Sequence, residues 1–232
     1  MNIALLGYGR MGKTIAKIAE DRGHKIVRRI DKDDSFDLDG VDVAIDFSIP
    51  EAAVANITQC LNSDVPVVSG TTGWLDNYDK MVQLCSDKNG AFLYASNFSV
   101  GVNIFFELNK QLAKMMAKLS NYNVSMEETH HIHKLDAPSG TAITLAEGII
   151  ENTDHNGWLL EKEEEDKVTI RSIREGEVPG THSIKYASDV DDITIEHKAH
   201  SRQGFALGAV IAAEWIVDKN GVFSMKDVLS LG

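Results

Sequence analysis

Short apolar runs alternate with amphipathic stretches through the first hundred residues. Ile3 to Leu6, Ile26 to Ile30, Val41 to Phe47, Val65 to Ser69 and Ala91 to Tyr94 have the length and composition of buried strands. Met11 to Arg22, Glu51 to Asn62 and Leu75 to Lys88 carry apolar residues at helical spacing. Strand and helix in alternation predict a doubly wound, Rossmann-like parallel sheet, an α/β unit. Between Asp31 and Asp42 lie ten residues rich in aspartate, too few for a crossover with a full helix, so the adenine side of this unit is expected to be pared down.

From Gly101 the pattern changes. A long helical stretch, Asn103 to Leu119, leads into a strand at Asn123 to Thr129 and a helix after Pro138. Strand-like segments follow near Val168 to Ile173, Thr181 to Ala187 and Asp192 to Ala199, separated by turn signals such as Pro179-Gly180. These predict a second domain of α+β type, with helices on one face of a mixed or antiparallel sheet. The charged piece Asn152 to Lys167 reads as a solvated loop with Glu161 to Asp166 at its tip. Phe205 to Val217 reads as a buried apolar helix, stopped by Asn220-Gly221 and packed back on the first domain. The expected division is 1–100 with 204–232 for dinucleotide binding, and 101–203 for the substrate.

Composition narrows the choice of partner. A chain of 232 residues with 43% hydrophobic and 25% charged residues is ordinary for a folded protein, so disorder is not the default. Its formal charge of −12 opposes general attraction to nucleic acid or an anionic membrane, so an anionic ligand needs a local positive site. Cys60 and Cys85 suit packing in a reducing compartment, and residues 1–6 lack the basic start of a signal peptide. No apolar run has membrane-spanning length, and a cytoplasmic protein is expected.

Gly7-Tyr8-Gly9-Arg10-Met11-Gly12 follows the first strand and opens the first helix. Such glycines permit a tight turn and close approach of a pyrophosphate to the helix N-terminus. With Asp31 ending the second strand, the pattern predicts a bound dinucleotide. Asp31 is placed for ribose hydroxyls and favours NADH, whereas Lys32, Arg28 and Arg29 can meet a 2′-phosphate and favour NADPH; the expectation is use of both. Asp46-Phe47-Ser48 and Gly70-Thr71-Thr72-Gly73 each follow a predicted parallel strand, and their amides and hydroxyls are expected on the nicotinamide side. Ser96, Asn97 and Phe98 close the last strand of the unit, Phe98 either flanking the nicotinamide or packing.

The segment Glu127 to Ala142 holds His130, His131, His133, Lys134 and the helix start Pro138-Ser139-Gly140-Thr141. Three readings compete: core histidines satisfied by hydrogen bonds, a metal site completed by Asp136, and acid and anion chemistry. The third fits best, because no zinc-ligand spacing is present and the segment is too polar for a buried strand. Reducing a conjugated C=C or C=N with hydride requires a proton donor, which histidine supplies near neutrality. Lysine supplies a counter-charge, and the first amides of the helix with the Thr141 hydroxyl supply an anion cradle, with Gly140 admitting the ligand closely. In a straight strand His130 and Lys134 would be about 13 Å apart at roughly 3.3 Å per residue, so the chain is expected to turn near His131.

With these residues in place, the chain resembles the 4-hydroxy-tetrahydrodipicolinate (dihydrodipicolinate) reductases. The resemblance runs from the glycine loop through Gly70 to Gly73, Ala95 to Asn103 and the histidine segment with Asp136 to Thr141, to His200-Ser201-Arg202. It implies reduction of (hydroxy-tetra)dihydrodipicolinate to tetrahydrodipicolinate by NADH or NADPH, in the diaminopimelate route to lysine. It implies His130 as proton donor, Lys134 as its essential partner, and His131, Gly140, Thr141 and Thr72 as carboxylate contacts. It further implies a cofactor contact from Arg202 and a homotetramer built through the second domain's sheet. Ile132 stands where many members carry a basic or polar residue, and the glycine loop is one residue shorter than the usual form. A dinucleotide-sensing regulator and a dehydrogenase of another acid are the competing functions on such a scaffold.

Overall fold

Apolar runs that are buried on both faces become parallel strands. Asn2–Leu6 (β1), Lys25–Ile30 (β2), Val43–Asp46 (β3), Val67–Ser69 (β4) and Ala91–Tyr94 (β5) pair in parallel. Between them run the helices Arg10–Asp21 (α1), Pro50–Asn62 (α2) and Tyr78–Asp87 (α3). Pro50 opens α2 at a position whose N–H would have no helical partner. The computed structural model describes residues 1–31, 36–201 and 203–231. Contacts divide them into two units, Met1–Asn103 with Gln203–Gly232 and Ile104–Arg202.

Residues 36–42 carry no helix or strand, and Leu38 is buried there against the α2 and α3 side of the sheet. Lys32 lies outside the described residues.

The second unit begins along Val100–Met116 (α4) and continues with Asn123–His130 (β6), Gly140–Ile150 (α5), Trp158–Leu160 (β7), Val168–Arg174 (β8), Thr181–Ala187 (β9) and Asp192–Lys198 (β10). Its sheet has the order β10-β9-β6-β8-β7 and is mixed: β6 lies antiparallel to β9 but parallel to β8. A parallel partner demands a crossover, and α5 provides it. Phe105, Leu112, Leu145 and Ile149 from the two helices pack with Val124, Met126, Ile170 and Ile184 from the strands.

Three short elements depart from expectation. β7 sits inside the tract read as one solvated loop: Trp158-Leu159-Leu160 pairs with β8, an apolar triplet masked by its charged surroundings. After Gln203–Ile216 (α6), the Asn220-Gly221 stop is followed at once by Gly221–Phe223 (β11), which extends the first sheet to the order β11-β5-β4-β3-β1-β2. Met225–Leu229 (α7) follows, and Ser224 and Asp227 form its capping box. No described helix is long and apolar enough to cross a membrane.

Candidate active site

Along β6 the buried phase runs Val124, Met126, Glu128, His130. The two-residue period that places the first two in the core places a carboxylate and an imidazole on the same face at the end of the strand. Register supplies their neighbours: Glu128 lies between Ser172 of β8 and His182 of β9, and His130 lies beside Arg174. Glu128 is 1% exposed and accepts hydrogen bonds from Ser172 Oγ at 2.8 Å, Ser139 N at 3.1 Å and Arg174 Nη2 at 3.3 Å. Its other oxygen lies 3.5 Å from His130 Nδ1 and 3.6 Å from His182 Nε2. The two imidazoles meet edge to face, 5.1 Å between centroids.

Burial acts to raise the Glu128 carboxyl, but the nearby His182 ring and the hydrogen bonds from Ser139 and Ser172 outweigh it and hold the group well below the usual carboxylate range. At His130 burial prevails. The ring titrates at about 4 instead of 6.5, burial being the largest cause; Glu128 opposes the shift, while His182, Lys134 and Arg174 add to it. Glu128, His130 and His182 each offer a donor atom within 4.8 Å of the others, so this trio is the described grouping that could hold a metal ion. The Arg174 guanidinium already supplies the positive charge a metal would bring to Glu128.

β6 ends at His130 and the chain turns, as the distance argument requires. The turn is pinned by Ile132 N to Gly176 O and Lys134 N to His131 O, both 3.1 Å. Lys134 Nζ donates to both oxygens of Asp136, at 2.8 and 2.7 Å. Arg174 donates to the carbonyls of Lys134 at 3.4 Å and Asp136 at 2.6 Å, so the side chain that meets Glu128 also holds the lysine loop. Ser139 caps α5: its Oγ accepts from Ala142 N at 3.2 Å, and its carbonyl takes the first helical bond from Ile143 N. The amides of Gly140 and Thr141 precede that bond, and a Cβ at Gly140 would meet nothing within 4 Å. An open helix start of this kind suits a carboxylate. His131 is half-buried with its ring 6.1 Å from that of His133, which pairs with Glu177 at 3.3 Å. Gly180 also shapes the site, because a Cβ there would stand 3.1 Å from His130 Nε2.

In the first unit the glycine loop divides its tasks. Gly7 has φ +95°, and a Cβ on it would strike Phe47 O at 2.2 Å. A Cβ on Gly12 would meet Gly7 O at 2.2 Å, so α1 packs directly on the loop. Gly9 has open space beside it and is the N-cap of α1, where no side chain occupies the cap. These are the three glycine roles of a pyrophosphate cradle, and the residues fit a dinucleotide. Tyr8 and Met11 are half-buried and Arg10 exposed around it. Asp31 is exposed after β2; Arg28 pairs with Asp37 at 2.7 Å and Arg29 with Glu20 at 3.0 Å. Arg202, like Lys32, lies outside the described residues.

The ends of β3 to β5 hold the groups expected on the nicotinamide side. The hydroxyls of Ser48 and Thr71 turn inward, donating at 2.6 and 2.8 Å to Asp46, which is fully buried and also bound by Ser69 and Asn56. A buried carboxylate must be hydrogen-bonded, and these are the hydroxyls within reach. Phe98 is 1% exposed and belongs to the core, its ring 5.5 Å from that of Phe47. Gly70 stays half-buried beneath the Phe47 ring, Thr72 and Ser96 are exposed, and half-buried Asn97 accepts from Ser99 N at 2.9 Å.

Sequence reasoning missed Glu128, Ser139 as cap, Ser172, Arg174 and His182. Glu128 and His182 carried a signal, each occupying the buried phase of an otherwise apolar alternation. Arg174 carried none, since its role depends on strand register.

Two family models together span nearly the whole chain. Residues 1–98 match the family described as Dihydrodipicolinate reductase, N-terminus, and residues 101–229 match Dihydrodipicolinate reductase, C-terminus. The chain is 58% identical over 234 residues to a 4-hydroxy-tetrahydrodipicolinate reductase of Christiangramia forsetii, covering 99% of this chain and 98% of that protein. Its fold resembles that of a dipicolinate-bound dihydrodipicolinate reductase from Paenisporosarcina sp. TG-14, with a TM-score of 0.77 at 22% identity over 97% of each chain. A wider likeness reaches an aspartate dehydrogenase from Thermotoga maritima, with a TM-score of 0.52 at 12% identity over 92% of this chain and 95% of that one.

Proposed function

The chain belongs to the dihydrodipicolinate reductase family, and on that premise we propose how its residues divide the reaction. It reduces dihydrodipicolinate to tetrahydrodipicolinate with NAD(P)H, a step of diaminopimelate and lysine synthesis. Bound nicotinamide supplies the hydride. His130 delivers the proton, Lys134 binds and neutralises one carboxylate, and the amides of Gly140 and Thr141 with the Thr141 hydroxyl hold the other; His131 flanks the substrate. The observation that carries this reading is convergence: the end of β6, the lysine loop and the start of α5 all bond to the pair Glu128 and Arg174.

In the free site the His130 ring is neutral near pH 7, since it titrates at about 4. A dianionic substrate beside it raises that value, so the ring takes up its proton as substrate binds. Lys134, paired with Asp136 beforehand, exchanges that carboxylate for the substrate's.

The cradle formed by Gly7, Gly9 and Gly12 takes the pyrophosphate, and the loops bearing Phe47, Gly70 and Thr72 border the nicotinamide. Both dinucleotides serve. Asp31 favours ribose hydroxyls, while the exposed pairs holding Arg28 and Arg29 are worth little and release a guanidinium to a 2′-phosphate readily. The protein works as a homotetramer through the open face of the second sheet, where Ser125, Glu127, Arg171 and Lys185 are exposed. Buried, free Cys60 and Cys85 suit the reducing cytoplasm.

The test is direct. Protein, NADH or NADPH and the condensation product of pyruvate with aspartate semialdehyde should together lose nicotinamide absorbance. Consumption that persists in His130→Gln and Lys134→Ala would refute the assigned roles.

A further inference from the structure

We propose that Glu128 is the positioning residue of this site, one buried carboxylate that aligns the proton donor, the lysine loop and the start of α5. The proposal rests on His130 being the proton donor. At 1% exposure Glu128 has no edge to offer a substrate and must act through other groups. One oxygen faces the imidazoles, at 3.5 Å from His130 and 3.6 Å from His182. The other accepts from Ser172 and Arg174, and both approach the Ser139 amide, at 3.1 and 3.2 Å. Arg174 passes the constraint to the carbonyls of Lys134 and Asp136, and Ser139 passes it to α5 as the helix cap. His182 joins the same cap, its Nε2 3.2 Å from Ser139 Oγ.

The arrangement also fixes a sign. The charged and titratable groups that act on His130 are Glu128 on its own strand, Arg174 on β8, His182 on β9 and Lys134 in the turn. Glu128 alone among them is an anion, so it alone favours the protonated ring, and the other three oppose it. A donor that must acquire a proton in a buried, cation-rich setting depends on that one carboxylate.

Glu128→Gln keeps the shape and removes the charge. Turnover should fall about 10-fold to 100-fold, with KM for NADH within about twofold of wild type. The high-pH limb of kcat should move toward acid by about one pH unit or more. Glu128→Asp should restore part of the turnover and shift the limb less. Ser172→Ala removes a hydrogen bond from Glu128 without its charge and should leave the limb in place. A folded Glu128→Gln protein whose limb coincides with wild type overturns the proposal, even if kcat is lower, because a merely structural role leaves the profile unmoved. If Glu128→Gln does not fold, the limb of Glu128→Asp decides in the same sense. Failure of the underlying reading is distinct: the wild-type limb would then survive in His130→Gln.

Discussion

At the residue scale, His130 shows why a motif is not yet a mechanism. The cluster of three histidines and a lysine was legible as chemistry, but the protonation state was not, because it depends on burial and on Glu128, Arg174 and His182 arriving from three strands. Replacing His130 or Lys134 by Ala should lower kcat by about two orders of magnitude or more; steady-state kinetics returning near-normal turnover would contradict it. Because substrate charge raises the His130 pKa, the limb of kcat should lie at higher pH than that of kcat/KM, which reports the free protein. Stability carries the same signature. The folded ring titrates at about 4 and the unfolded one near 6.5, so the unfolded chain binds more protons between those values, and stability drops as pH falls through that window. The loss is at most about 3 kcal/mol. The depressed Glu128 carboxyl adds a further loss only as pH falls below its unfolded value of 4.5. Thermal melts of His130→Gln should therefore be flatter than wild type between pH 6.5 and 4.5, and equal slopes would count against a neutral buried ring.

At the element scale, elements set in apolar runs or stripes were legible and short strands among polar neighbours were not. β1 to β5, three-residue β4 included, and α4 to α6 announce themselves by runs or stripes of apolar residues, whereas β7 and β11 each span three residues amid polar or charged ones. Such strands are made by the neighbour they pair with. The start of α5 offers a separable test. Gly140→Ala adds a methyl into open space, so the fold should hold, while KM for the dicarboxylate rises if substrate approaches there. Ser139→Ala removes the cap and should cost about 1 kcal/mol in denaturant unfolding. In the first unit, Asp46 draws Ser48 and Thr71 into one cluster, tying the loops after β3 and β4. Asp46→Ala strands those hydroxyls and should both destabilise the unit by about 2 kcal/mol or more and weaken NADH binding, read by fluorescence titration; unchanged affinity would separate the cluster from the cofactor.

At the scale of the whole molecule, size and patterning revealed two domains, because a doubly wound alternation and a strand-rich segment cannot share one sheet plan. Neither reveals the copy number. Sedimentation should give four chains per particle, and a monomer at assay concentration would reject the tetramer. The chain's route has a consequence for how the protein is made. The first unit takes its sheet from residues 1–103 but covers Ile3, Leu5, Ile45 and Leu93 with Ala206, Ala209, Val210 and Ala213 of α6, and pairs the outer edge of β5 with β11. During synthesis, then, residues 1–103 wait with one greasy side and a raw strand edge until residues 203–231 have left the ribosome, while the inserted second unit emerges before them. The first unit cannot close its core until both of its pieces have been made, and in that interval it is the part a chaperone would need to guard.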